Sequence, residues 1–96
     1  MRLIVVGAGG ADRALLRRIG EVWEVAVVDS DPARLEEIAG VRVVTTIVGD
    51  GTRRDVLQDA GLDDAAAVVA AVNDDEVNLA VCRAAGDKGI LAAAVA

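Results

Sequence analysis

Residues 3–12, Leu-Ile-Val-Val-Gly-Ala-Gly-Gly-Ala-Asp, constrain this chain more than any other stretch. Four apolar residues with strand preference run straight into a glycine-rich turn. A helical pattern of apolar residues follows, with Ala11, Ala14, Leu15 and Ile19 on one face. A second apolar run, Val25-Ala26-Val27-Val28, ends on Asp29, twenty residues after Gly9. Strand, glycine turn, helix, strand and terminal acid make up the layout of a βαβ unit that holds a dinucleotide. In such a unit the glycines admit main-chain N–H groups to a pyrophosphate, and the helix N-terminus adds partial positive charge. The acid accepts hydrogen bonds from a ribose. The third glycine position of the motif is occupied by Asp12.

Composition limits what can be built around this unit. With 96 residues the chain makes one domain. It buries roughly 60–65% of its unfolded surface, enough for one core. Apolar residues are 54% of the chain, mostly Ala and Val, and Trp23 is the sole aromatic. Such a core suits close packing of helices on a sheet. The net charge of −6 argues against nucleic acid as a partner and against an anionic membrane surface. The single cysteine, Cys82, excludes an internal disulfide and fits a reducing cytoplasm. No signal peptide precedes the first strand, and no run approaches the ~18 apolar residues of a membrane span.

Along the chain, short apolar runs alternate with helical periodicity. Strands are expected at residues 2–6, 24–28, 41–48, 66–71 and 89–95. Their continuous apolar character suits strands covered on both faces. The second helix is expected to open with Asp31 as N-cap and Pro32 at its first position, burying Leu35, Ile38 and Ala39 before Gly40 ends it. The third has Thr52 as N-cap with Asp55 three residues on, buries Val56, Leu57 and Ala60, and stops at Gly61. The fourth starts near residues 73–75 and buries Val77, Ala80, Val81 and Ala84. The expected fold is therefore α/β: a Rossmann-like open parallel sheet in strand order 3-2-1-4-5, with helices on both faces. A terminal apolar strand with no helix after it suggests a truncated chain, or an edge that a partner covers.

The chemistry-bearing residues gather where these strands end. Gly7 permits the tight turn and Gly9 the close approach of phosphate, with Ala8, Gly10 and Ala11 completing the loop. Asp12 works against this. In the first helical turn a carboxylate stabilises by ~0.3–1 kcal/mol, yet at about 5 Å from a pyrophosphate it costs roughly 3 kcal/mol at an effective dielectric of ~20. Binding is thus weakened about a hundredfold, or lost, if Asp12 faces the phosphates. Asp29 reads either as a solvated strand-end residue or as the acceptor for both hydroxyls of an unphosphorylated adenosine ribose, with Ser30 beside it. Because Asp29 would repel a 2′-phosphate, NAD(H) or ATP/ADP is favoured over NADP. Arg34 could soften that preference, but it falls on an outward helix position. Asp50, in Gly49-Asp50-Gly51-Thr52, is expected beside the adenine edge, accepting from the exocyclic amine. Val72, Asn73 and Asp74 follow the fourth strand, beside the switch point between strands one and four. For Asn73 and Asp74, helix capping is as good a reading as a ligand role. Trp23 is expected to pack at the opposite end of the sheet. Cys82, with no histidine in the chain to activate it, is not a catalytic thiol.

Five segments together carry a family resemblance: Gly7-Ala8-Gly9; Val28-Asp29-Ser30-Asp31-Pro32; Gly49-Asp50-Gly51-Thr52; residues 57–64; and Asp74-Asp75-Glu76-Val77-Asn78-Leu79. In this order the chain resembles TrkA-N domains, also called RCK or KTN domains, over nearly its whole length. The resemblance implies a cytoplasmic regulator of a potassium channel or transporter, peripheral to the inner face of the membrane and not inserted in it. It implies NAD(H) or an adenine nucleotide at the switch point, with Gly7, Gly9, Asp29, Asp50, Thr52 and Asn73 lining the site. It further implies a homodimer or gating ring beneath an integral membrane potassium subunit, with no catalysis. Residues 1–96 would then be one nucleotide-binding domain lacking the family's last helix and strand and its C-terminal lobe. The fourth helix and fifth strand, including Val81, are the expected dimer surface. Two alternatives remain: a fragment of a Rossmann enzyme (dehydrogenase or methyltransferase), or a degenerate lobe that serves as a scaffold and binds nothing. The departure at Asp12 bears on the last.

Overall fold

The computed structural model describes residues 1–7, 10–20, 22–41, 44–72 and 74–94, the side chains of residues 10–13 excepted. Strand β1 (Arg2–Val6) leads to helix α1 (Gly10–Arg18), then β2 (Glu24–Asp29) and α2 (Pro32–Ala39). After β3 (Thr45–Val48) come α3 (Arg54–Asp59), one 3-10 turn (Leu62–Asp64), β4 (Ala65–Ala70), α4 (Asp75–Asp87) and β5 (Leu91–Ala94). The sheet is parallel throughout, in the order β3-β2-β1-β4-β5. This is the architecture the sequence predicts.

The apolar runs build two cores because a strand's side chains alternate between faces. Leu3, Val5, Val25 and Val27 pack under Leu16 of α1 and Leu35 and Ile38 of α2. Ile4, Val6, Ala26, Val28, Val68 and Ala70 pack on the other face, under Leu57 of α3 and Val81, Ala84 and Ala85 of α4. Strands β1 and β2 are thus sealed on both sides, and Ile4, Val5, Val27 and Val28 are fully buried. Each such side chain contributes roughly 1.5–3 kcal/mol of hydrophobic stabilisation. Trp23 packs half-buried against the α1/α2 core, as expected.

Several expected details differ. The third strand is shorter than residues 41–48. Val41 donates its N–H to Ile38 O, closing α2, and pairing with β2 begins only at Thr45. Val41 and Val44 pack on the α1/α2 core, so their apolar character reflects that contact and not strand pairing. The fifth strand starts at Leu91 because the N–H groups of Lys88 and Ile90 still bond to Ala85 O at the end of α4. Thr52 is not the cap of α3: the N-cap is Arg53, without a side-chain bond, and Asp55 accepts from the Arg53 guanidinium instead of closing a capping box. Ala39 is exposed. Val81 is fully buried, so it belongs to the core and not to a docking surface.

Candidate functional site

The carboxyl ends of the central strands surround a cleft of about 360 Å³, within the range of small-ligand sites. Val6 and Val28 form its floor from β1 and β2. Asp29, Ser30 and Arg34 line it from the β2–α2 side, Gly49, Asp50 and Gly51 from the β3–α3 loop, and Val72, Asp74 and Val77 from the β4–α4 side. Two glycines make this geometry possible. Gly7 leaves β1 at φ +112°, a conformation that side chains rarely adopt, while its N–H bonds to Val28 O at 2.7 Å. At Gly51 a Cβ would stand 2.5 Å from Val6 Cγ1, so only glycine lets the β3–α3 loop lie against the end of β1.

Asp29 is not a solvated strand-end residue. Its side chain is 5% exposed, with Oδ1 accepting the Asp31 N–H at 2.8 Å. Arg34 reaches back from α2, its Nη1 4.0 Å from Asp29 Oδ2 and its Nε 3.8 Å from Asp31 Oδ2. The outward reading of Arg34 was therefore incomplete: the residue is exposed, yet its guanidinium borders the cleft. Its place three residues after Asp31 on a helix was the available signal. Asp31 itself caps α2 by accepting the Ala33 N–H, with Pro32 at the first helical position.

Asp50 sits in a similar turn on the facing loop. Its Oδ1 accepts both the N–H of Thr52 at 2.9 Å and the Thr52 hydroxyl at 2.7 Å. These bonds, the backbone one foremost, hold the Asp50 carboxyl below its ordinary value of 3.8, against a small opposing effect of burial. Thr52 thus orients Asp50 and is not itself part of the cleft lining. Asp74 caps α4, its Oδ1 accepting from Glu76 and Val77 N–H. Gly10 and Ala11 open the first turn of α1. Ala8, Gly9 and Asn73 lie outside the described residues, as does the side chain of Asp12.

Of the residues expected to form a site, Asp29, Ser30, Asp50, Gly51, Val72 and Asp74 are brought together around one cleft. Val6, Val28, Arg34, Gly49 and Val77 line it as well; the valines read as plain core positions in the sequence. Among the described residues no group of His, Cys, Asp and Glu is arranged to hold a metal ion, and no helix is long and apolar enough to cross a membrane.

Comparison with known proteins agrees with this architecture. The chain is 36% identical over 86 residues to the Trk system potassium uptake protein TrkA of Halomonas elongata and 35% identical to that of Vibrio alginolyticus. Each match covers 88% of this chain and only 19% of the relative, so the chain spans about a fifth of those proteins. Among solved structures, the Shewanella denitrificans Kef CTD in AMP-bound form superposes with a TM-score of 0.78 at 22% identity, covering 98% of this chain and 58% of that one. The TrkA-N domain of the Escherichia coli inner membrane protein ybaL gives 0.70 at 20% identity, covering 99% and 73%. A saccharopine dehydrogenase of Saccharomyces cerevisiae gives 0.75 at 17% identity, covering 97% and 21%, as expected of a shared nucleotide-type fold. The TrkA-N domain model matches residues 3–95, and the chain belongs to that family.

Proposed function

We propose that this chain is a regulatory domain of a potassium uptake system or channel that takes NAD(H) or an adenine nucleotide into the cleft. The ligand would bias the balance between two domain arrangements and so alter transport. One observation carries the reading: two ordered carboxylates, Asp29 and Asp50, face one cleft at the switch point of a parallel sheet. In this reading Asp29, with Ser30, receives the ribose hydroxyls. Asp50, held by Thr52 through Oδ1 alone, keeps Oδ2 for the adenine amine. Gly7, whose own N–H is held by Val28 O, makes the turn that brings the main-chain amides of Ala8, Gly9, Gly10 and Ala11 toward the phosphates at the head of α1. Gly51 keeps the adenine side open, and Val72, Asn73 and Asp74 form the opposite wall.

Residues 1–96 act as one nucleotide-binding domain without catalytic chemistry, at the cytoplasmic face of the membrane and not inserted in it. The partners are a second copy, as dimer or ring, and a membrane-embedded potassium subunit. Leu79 on α4 and Leu91 on β5, exposed by 51% and 74%, supply the apolar surface for the second copy in place of the buried Val81. The relatives named as potassium uptake proteins support the transport role, and AMP in the Kef CTD adds a mononucleotide to the ligands worth trying. Calorimetric titration with NAD, NADH, ATP, ADP, AMP and NADPH is the test. Binding of at least one unphosphorylated-ribose ligand, with NADPH weaker than NADH, is expected. No heat of binding with any of them would sink the proposal and leave a scaffold.

A further inference from the structure

We infer that Asn78 is the residue that positions the β4–α4 wall of the cleft for its ligand, an inference that rests on the nucleotide-binding reading above. Asn78 lies at the end of the first turn of α4 and is 6% exposed. Its neighbours on the buried helix face are Val81, Ala84 and Ala85, so an apolar residue would satisfy the packing pattern equally well. The amide has a different task. Asn78 Nδ2 donates to Val72 O at 2.9 Å, and Asn78 Oδ1 accepts the Val72 N–H at 3.2 Å. Both polar groups of Val72 are held as a neighbouring strand would hold them. They need this, because the β1–β4 ladder ends one residue earlier, where the Ala71 N–H bonds to Val6 O.

Val72 borders the cleft, and Asp74 two residues on borders it too. Asn78 is not part of the lining; it acts through Val72. Losing the clamp leaves a half-buried N–H and C=O to find other partners, and the loop between β4 and α4 shifts to supply them. The wall against which the nucleotide sits then loses its fixed position.

Wild type, Asn78→Ala, Asn78→Asp and the control Ile38→Val are titrated with NADH, ATP, ADP and AMP by calorimetry, with thermal melts alongside. Ile38 lies in the core on the opposite face of the sheet. Asn78→Ala is expected to weaken binding at least tenfold, whereas Ile38→Val lowers the melting temperature and leaves affinity unchanged. Asn78→Asp gives the sharper readout. At pH 8 its carboxylate opposes Val72 O and binding is weak. Protonated, the same group donates to Val72 O and accepts from Val72 N–H, restoring the clamp. Strands β4 and β5, on which α4 packs, carry no ionisable side chain, and Arg54 of α3 and Asp63 of the 3-10 turn are paired with Asp87 and Lys88 at the far end of α4. Burial and the carboxylates of Asp74, Asp75 and Glu76 favour the protonated form, against the Val72 N–H and the start of the helix. Affinity of Asn78→Asp relative to wild type at the same pH should therefore recover as pH falls from 8 to 5. Equal affinity of Asn78→Ala and wild type, or a ratio for Asn78→Asp that stays flat with pH, overturns the inference alone. If Asn78→Ala does not fold, the Asn78→Asp profile decides. A wild-type chain that binds none of these four, nor NAD or NADPH, overturns the binding reading, and this inference with it.

Discussion

At the end of β2, Asp29 Oδ1 accepts the N–H of Asp31 at 2.8 Å; beyond β3, Asp50 Oδ1 accepts the N–H of Thr52 at 2.9 Å. Both are turns in which an aspartate bonds the amide two residues on before a helix starts. Their surroundings differ. Asp29 is buried at the edge of the cleft, with a guanidinium as its nearby counter-charge. Asp50 is exposed and is steadied by a neutral hydroxyl. The same local turn thus yields a buried, charge-balanced acceptor on one side of the cleft and a solvated one on the other. Hydrogen bonds from a ligand are worth more at the buried one, where water competes less.

The comparison is broken most directly by removing one charge at a time. Asp29→Asn keeps an oxygen for the Asp31 N–H, so the fold should persist. Nucleotide affinity should fall by about 2 kcal/mol, roughly 30-fold in Kd. Asp50→Asn should lose only a few-fold. Equal losses in calorimetry would mean that burial does not set the ranking.

The next effect concerns stability. At Gly51 an added Cβ lies 2.5 Å from Val6 Cγ1, while at Gly49 it lies 3.0 Å from both Cγ atoms of Val56. Gly51→Ala should cost about 1–2 kcal/mol, roughly 5–10 °C in Tm for a chain of this size. Gly49→Ala should cost less, since Val56 is only half-buried on α3 and can yield. Thermal melts of the pair would show whether the β3 corner is held by its backbone, as the β2 corner is by its carboxylate.

Arg34 sets how selective the β2 corner is. It is 60% exposed, so removing its ion pairs should cost under ~1 kcal/mol of stability. Without it, Asp29 and Asp31 face a 2′-phosphate unopposed. In Arg34→Ala the ratio of NADPH to NADH dissociation constants should widen about threefold to tenfold, or ~1 kcal/mol. A ratio that stays the same or narrows would mean that the Arg34 guanidinium does not offset the two carboxylates at the 2′ position.

These corners also show which features a sequence carries. The sheet order, the covering of the strands on both faces, the Asp31-Pro32 start of α2 and the need for glycine at position 7 were legible because each rests on local chemistry or on periodicity. So was the place of Asp29 at the end of β2, where it lines the cleft. The return of Arg34 was not legible, because a residue's outward helix position does not say where a long side chain lays its head group. Thr52 was misread for a physical reason: a threonine hydroxyl before a helix can serve the helix or the preceding aspartate, and here Asp50 receives it. The role of Val41 and Val44 was hidden because β-branched residues suit a strand and a core contact equally well.

The smallest effect tests that competition for the Thr52 hydroxyl. Asp50 titrates below its ordinary 3.8 because of the Thr52 amide first and the Thr52 hydroxyl second. A depressed carboxylate contributes stability that is present above its unfolded value and is lost as pH falls through its folded value. That contribution therefore starts to shrink as pH falls past the ordinary 3.8, and is gone only below the lower folded value, where the bond from Thr52 meets a neutral acid. Thr52→Val removes the hydroxyl and keeps the backbone bond, and because Asp50 is solvated the loss at pH 7 should be only ~0.5 kcal/mol. Denaturant melts of wild type and variant at pH 7, 5, 3.5 and 2.5 should show that gap hold steady to about pH 4 and then narrow. A gap that does not narrow at all between pH 5 and pH 2.5 would mean that the hydroxyl stabilises the turn by shape and not through the charge. In that case the β3 corner would owe nothing to its aspartate's ionisation, and only the β2 corner would be an electrostatic one.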